Sequence, residues 1–228
     1  SAIASILTVL FLIRIVRLLY KELSFLYLIF YILFFTFQPY FIQFSHFGTT
    51  ELLLMLFYSL IVYYSLQLFN RLRLDRSKLE WRTTFLLSLF SGVAVATKIS
   101  SVLFIMVPVF SIFICKDSIK KKILVLFGLI IGILFFAIFF SPHTLISFHE
   151  FLGSMRYESS VATGALKVFY TRQFEGSSPI WFQLTKVFPF ALGFPQFVFA
   201  IVGFLFLSWK KKEMNLLRFA FLIYFIPN

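Results

Sequence analysis

Residues 85–114 read FLLSLFSGVAVATKISSVLFIMVPVFSIFI, two apolar runs joined by a single lysine, Lys98. The first run, residues 85–97, spans roughly 20 Å as a helix at 1.5 Å per residue, against roughly 30 Å of bilayer hydrocarbon. The second contains Pro108. A hairpin of this kind places its tip within the outer leaflet or in a water-filled cleft. An ammonium there is expensive unless it has work to do or reaches the headgroups.

The chain on either side is equally apolar. Hydrophobic residues make up 61% of 228 positions and charged residues 13%, about half the share of an ordinary soluble domain. Mean hydropathy is +0.95. These values imply an all-α polytopic membrane protein and exclude a soluble domain. A membrane β-barrel is excluded because alternation at period two is missing.

Eight hydrophobic segments follow one another, at residues 2–13, 23–37, 52–69, 85–97, 99–114, 123–140, 191–209 and from 216 onward. The second stops at Gln38-Pro39, since proline cannot continue the hydrogen-bond ladder. Residues 40–50 (YFIQFSHFGTT) then read as an outer connection. Basic clusters punctuate the runs, at Arg14, Arg17 and Lys21, in residues 70–82 (NRLRLDRSKLEWR), at Lys116 and Lys120 to Lys122, and at Lys210 to Lys212. This arrangement puts sixteen of the 21 Lys and Arg residues on one side, which the positive-inside rule makes cytoplasmic. The net charge of +12 is thereby explained without nucleic acid. The single cysteine, Cys115, excludes an internal disulfide and reads as a packing residue. Residues 1–228 form one transmembrane domain without a repeat, and the chain reads as an internal piece of a longer protein.

The long polar interruption is residues 141–190, expected to be an extracytoplasmic loop. It holds three of the nine carboxylates and two of the three histidines. Within it Leu145, Phe148, Phe151, Leu152 and Met155 fall at helical spacing, which predicts an amphipathic helix lying on the outer interface and not a further crossing. Arg156, Tyr157 and Glu158 follow, then Tyr170 and Arg172, side chains able to contact phosphate oxygens and sugar hydroxyls. A solvated loop would carry the same residue types. Glu51 opens the third apolar run. It reads either as a helix-start carboxylate favoured by the helix dipole or as a site residue, with His46 nearby. No glycine-rich phosphate loop, HExxH, GxSxG or metal-ligand spacing occurs, so a nucleotide enzyme or zinc hydrolase is not indicated.

Residues 37–57 (FQPYFIQFSHFGTTELLLMLF) resemble the "P…SRf.ttD.ll.ff" stretch of the dolichyl-phosphate-mannose–protein mannosyltransferase-like family of the GT-C superfamily, which includes the lipid A aminoarabinose transferases. Residues 92–108 (GVAVATKISSVLFIMVP) are similar to that family's "GLalltKy…l..P" hairpin. Residues 141–164, with FYTRQF at 169–174 and LGFP at 192–195, are similar to its periplasmic segment. The resemblance implies a GT-C-type helix bundle with an outer-face juxtamembrane helical segment. It also implies inverting transfer of a sugar from a polyprenyl-phosphate donor to a lipid, glycan or protein acceptor, at the outer face of the plasma (inner) membrane. Glu51, the catalytic candidate, aligns with the family's second acidic position, usually aspartate, and His46 stands where arginine is common. The family's principal acidic residue is expected upstream of Ser1, and without it the piece alone is expected to be inactive. The substrate-binding candidates are His46, Lys98, Arg156, Tyr157, Glu158, Tyr170 and Arg172. A divalent cation is left open as a cofactor, no complete ligand set being visible. The rival readings are a transporter or flippase of lipid-linked sugars, for which inverted repeats are expected and none is seen, and a non-catalytic scaffold subunit.

Overall fold

The computed structural model describes residues 1–20, 22–73, 81–172 and 175–226. Among these, every regular element is helical. The elements are α1 (Ala2–Leu19), α2 (Phe25–Thr36), α3 (Pro39–His46), α4 (Glu51–Arg73), α5 (Trp81–Thr97), a 3₁₀ segment (Ile99–Ile105), α6 (Met106–Ile114), α7 (Ile119–Phe140), α8 (His143–Ile146), α9 (Phe148–Ala162), α10 (Pro179–Phe182), a π turn (Gln183–Val187), α11 (Phe188–Leu192), α12 (Phe194–Phe206) and α13 (Lys212–Phe225).

Three helices, α1, α4 and α7, are long and apolar enough to cross a membrane. A fourth span results if α2 and α3, bent by 56°, count as one. Of the three, α4 is the axis of the bundle. Buried residues make up 61% of its apolar window, against 17% for α1 and for α7. It is apolar on every face, as a helix surrounded by others must be. It packs against α1, α5 and α6 through Ile61, Leu66, Leu68, Phe69 and Leu72, all buried. By contrast α2 and α12 bury no residue fully and present phenylalanines outward.

The most extensive contact joins α5 to α7, and small residues explain it. Ser88 and Gly92 lie one turn apart on α5, as do Gly128 and Gly132 on α7. Lipid tails give no hydrophobic drive for association, so helices gain by approaching closely and by hydrogen bonding across the seam. A Cβ on Gly92 would stand 2.6 Å from Phe136 Cβ and 2.9 Å from the Ile133 carbonyl oxygen. Ser88 Oγ donates to the carbonyls of Thr84 in its own helix (2.9 Å) and of Leu129 across the seam (3.2 Å).

Two features differ from the sequence reading. Residues 40–50 are not a plain connection, because Pro39 starts α3 as well as ending what precedes it. A proline at the first helical position costs no hydrogen bond and its φ is already helical. The hairpin around Lys98 is also longer than the run of residues 85–97 implied. Helix α5 begins at Trp81, giving roughly 25 Å, and the 3₁₀ winding of Ile99–Ile105 stretches the second limb at about 2.0 Å per residue. The predicted helix in the polar segment is α9, with α8 before it. Much of the basic loop at residues 70–82, and Lys21, lie outside the described residues.

Between α11 and α12 the backbone turns at Gly193, with φ 84° and ψ 141°, a region essentially restricted to glycine. The turn sits against Pro39, so the FQPYF and LGFP stretches meet at the foot of α3. Beyond α12, Arg218 reaches back from α13 and is almost wholly buried. Its Nε donates to the Phe204 carbonyl (2.9 Å), its Nη2 to the Leu207 carbonyl, and its Nη1 to Asn215 Oδ1 (2.9 Å). The guanidinium lies 3.9 Å from the centre of the Trp209 ring. A cation at the C-terminal end of α12 satisfies carbonyls that the helix itself leaves unpaired.

Candidate functional site

Glu51 is the first residue of α4, where the helix dipole favours a carboxylate. Lys98 sits at the break between α5 and the 3₁₀ segment, in extended backbone. Its N–H closes the end of α5 on the Ala94 carbonyl (3.0 Å), and its own carbonyl accepts from Ser101 N–H (2.9 Å). The break turns the side chain out of the α5 ladder, and Nζ reaches Glu51 Oε1 at 3.3 Å. The lysine side chain is 49% exposed and the glutamate 32%. The pair is therefore accessible to solvent, and both members can still meet a ligand.

Tyrosines surround it. Tyr40 on α3 lies within electrostatic reach of Glu51 and Tyr224. Tyr224, from α13, lies within reach of both Lys98 and Glu51. Below them Tyr58 stacks on Phe104 with ring centres 4.2 Å apart, and Phe104 in turn meets Tyr224 at 5.5 Å. The Tyr58 hydroxyl donates to the Ala220 carbonyl, which ties α4 to α13. Tyr58 is two turns below Glu51 on the same face of α4. The result is a cation and a carboxylate at the mouth of an aromatic floor, with two phenol groups beside them. Such a mouth can bind an anionic group through the ammonium while excluding water from beneath.

The other sequence candidates lie elsewhere. His46 lines a cavity of about 420 Å³ between α1, α2 and α3, together with Ser5, Thr36 and Ser45. Arg156, Tyr157 and Glu158 are carried by α9, whose main packing partner is α8. Tyr170 lies beside Tyr157 and Glu158, and loss of hydration together with these neighbours pushes its phenol above the ordinary value. Arg172 is exposed just beyond it, and Gln173 and Phe174 of FYTRQF are outside the described residues. Among the described residues, no three of His, Cys, Asp and Glu gather into a group able to hold a metal ion.

Tyr40, Tyr58 and Tyr224 were not singled out from the sequence. Tyr58 was within reach, as the hydroxyl-bearing ring seven residues after Glu51 in a phenylalanine-rich chain. Tyr224 carried no comparable signal.

Residues 1–146 match the family described as dolichyl-phosphate-mannose-protein mannosyltransferase. The chain belongs to this family. No curated protein and no solved structure matches it. Membership carries a GT-C type of membrane glycosyltransferase function in general terms. The matched part of the mannosyltransferase-family chain contains His46, Glu51 and Lys98, whereas α9, Tyr170, Arg172 and Tyr224 lie beyond it.

Proposed function

We propose that the protein transfers a sugar from a polyprenyl-phosphate donor to an acceptor hydroxyl on the outer face of the plasma membrane, by a single inverting displacement. The observation that carries this reading is the Lys98–Glu51 pair at 3.3 Å, partly exposed at the break of the hairpin. The acceptor oxygen bonds to the anomeric carbon as the bond from that carbon to the phosphate oxygen breaks, and the electron pair leaves with the lipid phosphate. A phosphate departs without a general acid, so a fixed cation does the work that a second carboxylate does in glycoside hydrolysis.

Lys98 is the cation assigned to the departing phosphate. Glu51 holds it in place in the free protein, and a different carboxylate takes the acceptor proton. The phenols of Tyr40 and Tyr224 supply hydrogen-bond donors to the same phosphate. Residues of the polar segment, Arg156, Tyr157, Glu158, Tyr170 and Arg172, which lie apart from the Lys98–Glu51 pair, are assigned to the acceptor, and His46 marks a groove suited to the lipid.

The test is to incubate the full-length protein with a panel of polyprenyl-phosphate sugars and a mixture of lipid, glycan and peptide acceptors. Acceptor-dependent release of free polyprenyl phosphate supports the proposal. Movement of intact lipid-linked sugar across a vesicle membrane with no release would replace it with the transporter reading.

A further inference from the structure

Glu51 and Arg73 stand at opposite ends of α4, roughly 33 Å apart at 1.5 Å per residue. The Arg73 end holds a second cavity, of about 400 Å³, that the glycosyl-transfer reading does not use. Three segments distant in sequence converge on it. They are the end of α4, the α6–α7 turn, and the α12–α13 turn with Lys210, Lys211 and Lys212.

The cavity is fastened by some of its charges and leaves others over. Arg73 Nη1 pairs with Glu213 Oε1 at 2.8 Å, tying α4 to α13. Lys212 Nζ donates to the Ile114 carbonyl at 2.7 Å, tying the α12–α13 turn to the end of α6. Trp209, next to the lysines, is held from behind by Arg218. Lys116, Lys210 and Lys211 have no carboxylate partner among the described residues. The floor beneath them is apolar, made by Phe69, Ile114 and Cys115. Phe113 and Trp209, next in sequence to lining residues, and Phe206, four residues before Lys210, are all more than half exposed.

We propose that this cavity binds the phosphate headgroup of an anionic glycerophospholipid in the leaflet at the basic end of the bundle. Setting topology requires basic residues to be numerous on one side but not to converge on one hollow. Three ammonium groups without a carboxylate partner among the described residues provide the charge for a phosphodiester. The apolar floor and exposed aromatic residues match what a phospholipid carries below its headgroup and what free phosphate lacks.

The experiment reconstitutes the full-length protein in phosphatidylcholine vesicles containing a minor share of phosphatidylglycerol, then extracts it gently and counts retained lipids by native mass spectrometry. Phosphatidylglycerol should be retained over phosphatidylcholine. At about 1 kcal/mol per surface lysine, Lys210→Gln with Lys211→Gln should weaken retention about thirtyfold. Lys210→Arg with Lys211→Arg should keep it. Arg17→Gln with Lys120→Gln removes the same charge near the same end but outside the cavity, and should leave it unchanged. Equal retention of the two lipids would overturn the proposal, as would an equal loss in the Arg17/Lys120 variant. Displacement of phosphatidylglycerol by millimolar inorganic phosphate would overturn the lipid assignment.

Discussion

Lys98 and Glu51 offer a test that separates holding the fold from doing chemistry. Their side chains are 49% and 32% exposed, so solvent screens the pair and its worth to stability is under about 1 kcal/mol. For a chain of this size that corresponds to about 2–4 °C in Tm. If Lys98 instead stabilises charge building on a departing phosphate, its removal should cost about 10²–10³ in turnover, about 3–4 kcal/mol. Lys98→Ala in the full-length protein should therefore melt within a few degrees of wild type while losing at least a hundredfold in polyprenyl-phosphate release. Exchanging the charges, with Glu51→Lys and Lys98→Glu together, recreates an ion pair but puts the carboxylate where the cation was and a lysine at the start of α4, where the helix dipole disfavours it. That variant should recover part of any lost Tm and none of the activity. Near-normal turnover in Lys98→Ala, or recovery of activity in the exchange, would refute the assignment of Lys98 to the phosphate.

Three further outcomes follow from packing and charge. Arg218→Met strips the Phe204 and Leu207 carbonyls of their buried donor and should cost about 3 kcal/mol, read as a lower Tm and faster proteolysis of the α12–α13 turn. Gly92→Val meets backbone and Cβ atoms of α7 at under 3 Å and should destabilise by about 2–3 kcal/mol, where Gly203→Val, with open space around it, should be nearly neutral. Asp117, in the α6–α7 turn, loses hydration by burial, but the ammonium of Lys121 (2.8 Å) and a hydrogen bond from Ser118 N–H (2.8 Å) prevail and hold its carboxyl below the ordinary value. A lowered value means the stabilisation is present above about pH 4 and is lost as pH falls through the folded value. Wild-type Tm should thus drop more than that of Asp117→Asn between pH 5 and pH 3.

The sequence was most informative where a physical rule acts on one short stretch. Apolar length located α1, α4 and α7, the helices long and apolar enough to cross a membrane, because water and lipid sort residues by composition alone, and helical spacing located α9. It misled at Pro39, where one residue ends a helix and begins the next, so that only the rule for stopping was applied. Glu51 and Lys98 were each singled out, yet their contact spans 47 residues and depends on how α5 leaves the bundle. The contribution of Tyr224 depends on α13 folding back beside α4 and α6, which nothing in its own neighbourhood announces. The α5–α7 seam was readable in principle from Gly128 and Gly132, spaced four apart.

The seven residues Ile99–Ile105 between Lys98 and α6 are wound as a 3₁₀ helix. Rewinding them as α-helix would shorten that limb by about 3.5 Å, at 0.5 Å per residue, and swing its upper end by about 140°. Either change exceeds what a 3.3 Å ion pair tolerates. The stretch ISSVLFI bears no charge, yet the length its 3₁₀ pitch gives this limb is part of what lets Lys98 meet Glu51.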